Sequence, residues 1–222
     1  MGLRRQLHHW YEQRILPLGL DWACGLGRFT AQRQRVVPQA RGRVLEIGIG
    51  TGLNLPHYTA QQVERITGVD PATELHAKAK RRAQAAGLRV ELVPLQAEHL
   101  PFDDHSFDSV VVTYALCTIA DPLAALHEMR RVLKPEGRLI YAEHGLAPEL
   151  AVQRWQRRIT PYWCRCAGGC QLDRDIPALL QSAGFELLDA QAGYIAGPRP
   201  FTYNYWGQAR AMLRPKGTAP HA

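Results

Sequence analysis

The stretch Val44 to Asn54, VLEIGIGTGLN, constrains this chain more than any other. Its apolar run Val44-Leu45-Glu46-Ile47 reads as a buried parallel strand. Gly48, Gly50 and Gly52 then remove the side chains that would keep a ligand off the backbone of the turn that follows. RITGVD ends a second apolar strand, with Asp70 at its C-terminal tip and Pro71 next, at about the distance a βαβ unit sets. A carboxylate there can accept hydrogen bonds from two ribose hydroxyls. The pattern points to a nucleotide-like cofactor bound at a strand end.

The spacing refines that reading. A dinucleotide fingerprint needs G-x-G-x-x-G to bring a helix N-terminus onto a pyrophosphate, whereas the third glycine here comes one residue early. An acid two residues ahead of the loop, Glu46, suits a cofactor with a positive end better than a diphosphate. Glu46, Gly48, Gly50 and Gly52 meet the pattern [ED]-x-G-x-G-x-G, and the segment resembles motif I of the class I S-adenosylmethionine-dependent methyltransferases. The resemblance implies S-adenosylmethionine as cofactor, S-adenosylhomocysteine as product, and Glu46 supporting the cofactor's amino group. Asn54 reads as a helix cap or as polar lining of the methionine end.

The rest of the chain carries the strand–helix rhythm of that fold. A helix opened by Pro71 and closed by Gly87 precedes a strand over 89–95. PFDDHSFD connects to a strand over SVVVTYAL, and Asp121 caps a helix with Pro122 at its first position. A fifth strand spans Arg138 to Glu143, a short helix Asp175 to Ala183, and two β-rich runs, 185–195 and 201–205, form an antiparallel edge hairpin. The expected fold is α/β: a Rossmann-like, mostly parallel seven-stranded sheet with helices on both faces and an antiparallel C-terminal hairpin. Residues 1–40 read as an N-terminal helical cap and 41–213 as the methyltransferase domain, with 147–172 inserted over the cleft. Residues 214–222 read as a disordered tail.

Composition narrows the partners. Five cysteines, an odd number, without a signal peptide suit a reducing cytoplasm. The net charge of +7 gathers near the N-terminus and in 78–89 and 154–165, and reads as solvated arginine-rich faces rather than a nucleic-acid patch. The apolar segment Ile15 to Leu20 is far short of a membrane span. Leu3, Leu7, Trp10 and Tyr11 recur at helical spacing, which leaves peripheral membrane contact open but favours packing against the domain's own cleft.

Further residues follow from the resemblance. Gln96-Ala97-Glu98-His99-Leu100-Pro101-Phe102 is similar to the family stretch that closes over the adenine, with Gln96 in place of an acid; the backbone of Ala97 is then the surest contact, and Glu98 is alternatively a helix-start acid. Thr113 fits the cofactor-edge position at the tip of strand four. TYALCTIADP, AEHG and GCQLDRD resemble one branch, the mammalian methyltransferase-like thiol S-methyltransferases and their bacterial relatives. That likeness implies a small methyl acceptor, a thiol, with Tyr114, Cys117, Cys170 and Arg174 near it and His144 as base or electrostatic partner. Cys164-x-Cys166-x-x-x-Cys170 lacks the paired spacing of a zinc site, so no metal is expected. The alternatives keep the cofactor and change the acceptor to a lipid amine, a quinone or another nucleophile. A nicotinamide oxidoreductase, against which the glycine spacing argues, and a non-enzymatic cofactor-binding regulator come from other classes.

Overall fold

The structure, a computed structural model, describes Gly19, Asp21 and residues 24–212. The amphipathic face expected at Leu3, Leu7, Trp10 and Tyr11 and the tail at 214–222 lie outside the described residues.

Strands β1 (Gly42–Ile47), β2 (Val63–Val69), β3 (Val90–Val93), β4 (Phe107–Thr113), β5 (Leu133–His144), β6 (Phe185–Tyr194) and β7 (Tyr203–Ala211) build one sheet in the order β3-β2-β1-β4-β5-β7-β6. Only β7 runs against its neighbours. The expected fold class is the observed one. Helices α1 (Gly27–Val36), α2 (His76–Ala85), α3 (Pro122–Val132), α4 (Leu150–Cys166) and α5 (Ile176–Ser182) pack around it.

Strand alternation sets the two cores. Leu45, Ile47, Val110, Val112, Leu139 and Tyr141 face a cluster that includes Leu126 and Met129 of α3 and Leu180 of α5. Val44, Val111, Ile140 and Ala142 point the other way, toward Val36 of α1 and Ala83 of α2. Such a period of two buries both faces of a parallel sheet. Strand order reverses between β1 and β4, the place where the carboxyl ends of neighbouring strands diverge and leave a crevice.

Several boundaries differ from the sequence reading, each for a local reason. β4 stops at Thr113 because Tyr114 takes a left-handed φ of 53°. The next two amides, Ala115 and Leu116, donate to the Glu143 carboxylate at 2.8 and 3.0 Å instead of continuing the ladder. β5 begins at Leu133, directly from the end of α3, because Leu133 already pairs with Phe107. β7 runs on to Ala211 because it pairs with β5 on one side and β6 on the other, so of the two hairpin strands β6 alone lies at a sheet edge. A 3-10 turn at Thr73–Leu75 intervenes between Pro71 and α2. The Asp121 cap on α3 forms as expected, its carboxylate accepting from Ala124 N at 2.9 Å.

Candidate active site

A cavity of about 590 Å³ opens at the carboxyl ends of β1, β2, β4 and β5. Gly48, Gly50, Asp70, Thr113 and His144, which end or follow those strands, all line it. The size is that of a cofactor site with room for a small second molecule.

At one end lies the glycine loop. Gly48, Gly50 and Gly52 have φ of 68°, 50° and 80°, in the left-handed region that glycine enters without cost. A Cβ on Gly52 would sit 2.6 Å from Leu55 Cδ1 and 3.1 Å from Ala79 Cα, so this glycine lets α2 approach the loop. Asp70 holds the loop from the other side. Its Oδ2 accepts from Gly50 N and its Oδ1 from Ala72 N, both at 2.9 Å. A carboxylate has about four lone-pair directions, so each oxygen keeps one for a ligand hydroxyl. Burial pushes the Asp70 pKa above the ordinary carboxylate value.

Glu46 is 1% exposed and points into the loop's underside. Its hydrogen bonds come from Asn54 Nδ2 at 3.0 Å and Tyr58 Oη at 2.7 Å. Burial pushes its pKa up to about 7, against the pull of those two donors. Asn54 makes no side-chain cap; its Oδ1 accepts from Thr113 Oγ1 at 3.1 Å, which supports its reading as pocket lining. Glu46, Asn54, Tyr58 and Thr113 thus form one buried polar chain across β1 and β4.

A second group closes the loop from the N-terminal side. Asp21 takes a hydrogen bond from Thr51 Oγ1 and ion pairs from Lys78 at 2.5 Å and Arg82 at 3.1 Å. Arg33, 4% exposed, donates to Cys24 O at 2.6 Å and lies 4.9 Å from the Tyr114 ring centroid. Tyr114 donates to Asn204 Oδ1 at 2.9 Å. None of Asp21, Arg33, Tyr58, Arg82 and Asn204 stood out in the sequence. The signals were slight: an acid amid apolar neighbours for Asp21, and a tyrosine one short turn past the glycines for Tyr58.

The far end of the cavity is walled by Cys117, His144 and Cys170, with Ala167, Leu172, Trp163 and Phe201 around them. His144 Nε2 lies 3.0 Å from Cys170 Sγ, and Trp163 Nε1 donates to the same sulfur at 3.1 Å. Hydrogen bonds from Cys117, His144 and Trp163 hold the Cys170 thiol below its ordinary pKa against the effect of burial. Burial works against the His144 imidazolium, yet the contact with Cys170 holds its pKa above the usual value. Cys117 is pushed up, first by its hydrogen bond with Cys170 and then by burial.

Residues 45–141 match the profile of a family described as a methyltransferase domain. Thiol S-methyltransferase TMT1A of Homo sapiens is 31% identical over 197 residues, spanning 80% of this chain and 75% of that protein. The chain belongs to the class I S-adenosylmethionine-dependent methyltransferases. Other relatives of this methyltransferase differ in acceptor. Phosphatidylethanolamine N-methyltransferase of Cereibacter sphaeroides is 36% identical over 105 residues, 46% of this chain and 51% of that protein. The chain therefore spans about half the length of that relative. Among solved structures, a putative methyltransferase from Bacillus halodurans superposes with a TM-score of 0.65 at 19% identity, over 84% of this chain and 100% of that one; it speaks for the fold.

The methyltransferase gathers most of its sequence-predicted residues in one cavity, and S-adenosylmethionine is its cofactor. Pro71, Gln96, Ala97 and Glu98 do not line the cavity. Gln96 is exposed and Ala97 buried, while Glu98 accepts from Asp121 N at 3.3 Å, so it serves the start of α3. Arg174 is not in the cavity wall either. It donates to Leu116 O and, at 2.8 Å, to Ile119 O, fixing the loop that carries Cys117. Of the insertion's tryptophans, Trp163 lines the cavity and Trp155 is exposed. Among the described residues no helix is long and apolar enough to cross a membrane.

Proposed function

We propose that this methyltransferase moves the methyl group of S-adenosylmethionine to the sulfur of a small thiol. The carrying observation is the contact between His144 Nε2 and Cys170 Sγ at 3.0 Å, which engages the one imidazole on the acceptor wall among the described residues. An amine or phenol acceptor needs a free base to take its proton. A thiol, with a pKa of about 8.5, ionises far enough by itself near neutral pH and is then a strong nucleophile.

Asp70 would hold the cofactor's ribose hydroxyls and the Glu46–Asn54 side of the glycine loop its amino group, which would leave the methyl group to be delivered toward the Cys117–His144–Cys170 wall. Methyl transfer is an in-line displacement. The acceptor's proton goes to solvent, its sulfur bonds the methyl carbon, and the carbon–sulfonium bond breaks with its electron pair left on S-adenosylhomocysteine. The chain's contribution is alignment and a dry, apolar chamber for the acceptor, supplied by Trp163, Ala167, Leu172 and Phe201. The thiol activity of TMT1A, by its name, supports the same acceptor class.

The runner-up is a lipid amine, favoured by the phosphatidylethanolamine relative. A mass-spectrometric acceptor screen separates the two. The expected result is S-adenosylhomocysteine formed in step with a methylated small thiol and with no lipid present. Product formed only with phosphatidylethanolamine vesicles would refute the thiol reading.

A further inference from the structure

Cys117, His144 and Cys170 come from three separate elements: the turn after β4, the end of β5 and the segment after α4. Their Sγ and imidazole nitrogen atoms all lie within 4.8 Å of one another. The backbone holds them there. Gln171 N donates to Cys117 O at 2.8 Å, tying the two cysteine segments together, and Arg174 grips the carbonyls of Leu116 and Ile119 on either side of Cys117. Two sulfurs and an imidazole fixed around one point are a donor set for a soft, tetrahedral cation. Such an ion, with bonds of about 2.3 Å to sulfur and about 2.0 Å to nitrogen, spaces its ligand atoms by roughly 3.5–3.8 Å. The trio brackets that spacing, from 3.0 Å for His144–Cys170 to at most 4.8 Å.

We propose that Cys117 Sγ, Cys170 Sγ and His144 Nε2 are three ligands of a Zn²⁺ ion whose fourth position opens into the cavity and takes the acceptor thiol as its thiolate. Of the Cys164-x-Cys166-x-x-x-Cys170 run, whose spacing spoke against a zinc site, the fold brings only Cys170 into the trio. Cys164 Sγ turns to Cys170 O at 3.2 Å, and Cys166 is exposed. Three protein ligands with one open position is the pattern of reactive rather than structural zinc. The Trp163 N–H on Cys170 is the kind of outer hydrogen bond that orients a metal thiolate.

Charge supports the arrangement. Two thiolates and a neutral imidazole neutralise the ion, and an acceptor thiolate in the fourth position makes the group singly negative, opposite the positive sulfonium. A thiol that binds Zn²⁺ releases its proton outright and remains a nucleophile. When its sulfur takes the methyl carbon, the cofactor's carbon–sulfur bond breaks with the electron pair staying on S-adenosylhomocysteine. The thioether, a weaker ligand than a thiolate, then gives way to water or to the next thiol. The ion site stands on geometry alone; the fourth-ligand role rests on the thiol reading above.

Cobalt serves as the spectroscopic probe. The full-length protein, kept reduced with a phosphine, is titrated with Co²⁺ and then with Zn²⁺. One Co²⁺ per chain is expected, with thiolate-to-cobalt charge-transfer and tetrahedral d–d absorption that Zn²⁺ abolishes. Cys117→Ser and Cys170→Ser should each weaken binding by about 100-fold, since even outer-shell changes at metal sites cost 10–100-fold. Cys166→Ser should bind like the parent. S-adenosylmethionine binding shows that each variant is folded. No charge-transfer band, or a band that survives both cysteine substitutions, would overturn the site. Adding a small thiol should alter the charge-transfer band, and an unchanged spectrum would overturn the fourth-ligand role. Full thiol turnover by metal-free protein would overturn the metal's part and leave the thiol reading standing. A metal site without thiol turnover would do the reverse.

Discussion

Glu46 shows how a single buried carboxylate can record the charge of a ligand. Its two hydrogen bonds come from neutral groups, Asn54 and Tyr58, and burial lifts its pKa to about 7. In the free protein it is therefore largely protonated below that pH, while in the unfolded chain it ionises near the ordinary 4.5. Its contribution to stability is present below pH 4.5 and is lost as pH rises through about 7. A cationic cofactor reverses the preference by favouring the carboxylate, so binding releases a proton below pH 7. Affinity for S-adenosylmethionine should rise from about pH 5 to about pH 7 and then level off, and Glu46→Gln should flatten the profile. Calorimetry across that range checks it, and a flat profile in the parent protein would remove Glu46 from the cofactor's charge balance. Asp70 acts through hydrogen bonds rather than net charge. Losing two charge-assisted bonds to ribose at about 1.5–3 kcal/mol each should cost Asp70→Ala at least 100-fold in affinity. An unchanged Kd in a folded variant would refute the ribose assignment.

At the scale of elements, local signals proved readable where one segment decides the outcome. The strand-loop-strand run from Val44 to Asp70 needed only its own glycines and apolar period, and α3 needed only Asp121 and Pro122 at its start. Asp121→Ala should lower stability by about 1 kcal/mol through loss of the bond to Ala124 N, with cofactor affinity unchanged. Chemical denaturation with a parallel binding titration checks both halves. Where two or more distant elements decide, the sequence was mute. β7 gains its length by pairing on both sides. Tyr114 is forced into a left-handed turn by the loop that Glu143 and Arg174 pin from β5 and from beyond α4. Arg174, placed by the resemblance near the acceptor, donates to that loop's carbonyls. The closeness of Cys117, His144 and Cys170 is a product of the same pinning, and no spacing along the chain announces it.

The whole molecule adds a cavity shared among segments that fold far apart in sequence: the N-terminal residues around Asp21 and Arg33, the glycine loop, and the end of α4. A cofactor that binds only the folded chain should stabilise it by about 2.7 kcal/mol when free cofactor is 100 times its Kd. The Asp21 clasp is the most separable part. Hydrogen bonds from Lys78, Thr51 and Arg82 outweigh burial and hold its carboxyl at about 2, so it stays charged until pH falls through that value. The acid limb of cofactor binding therefore belongs to Glu46 and not to the clasp. Lys78 and Arg82 are 39% and 30% exposed at their side chains, so salt screens these ion pairs and each one alone adds little stability. What the clasp adds is closure, because Arg82 also donates to Thr51 O at 2.8 Å and so ties α2, the glycine loop and the N-terminal segment into one edge of the cavity. Asp21→Asn should then speed cofactor release several-fold while leaving the association rate and the melting temperature of the free protein nearly unchanged. Stopped-flow measurement of both rates decides it. An unaltered release rate would assign the clasp to surface packing, and a loss of free-protein stability to match would assign it to the fold.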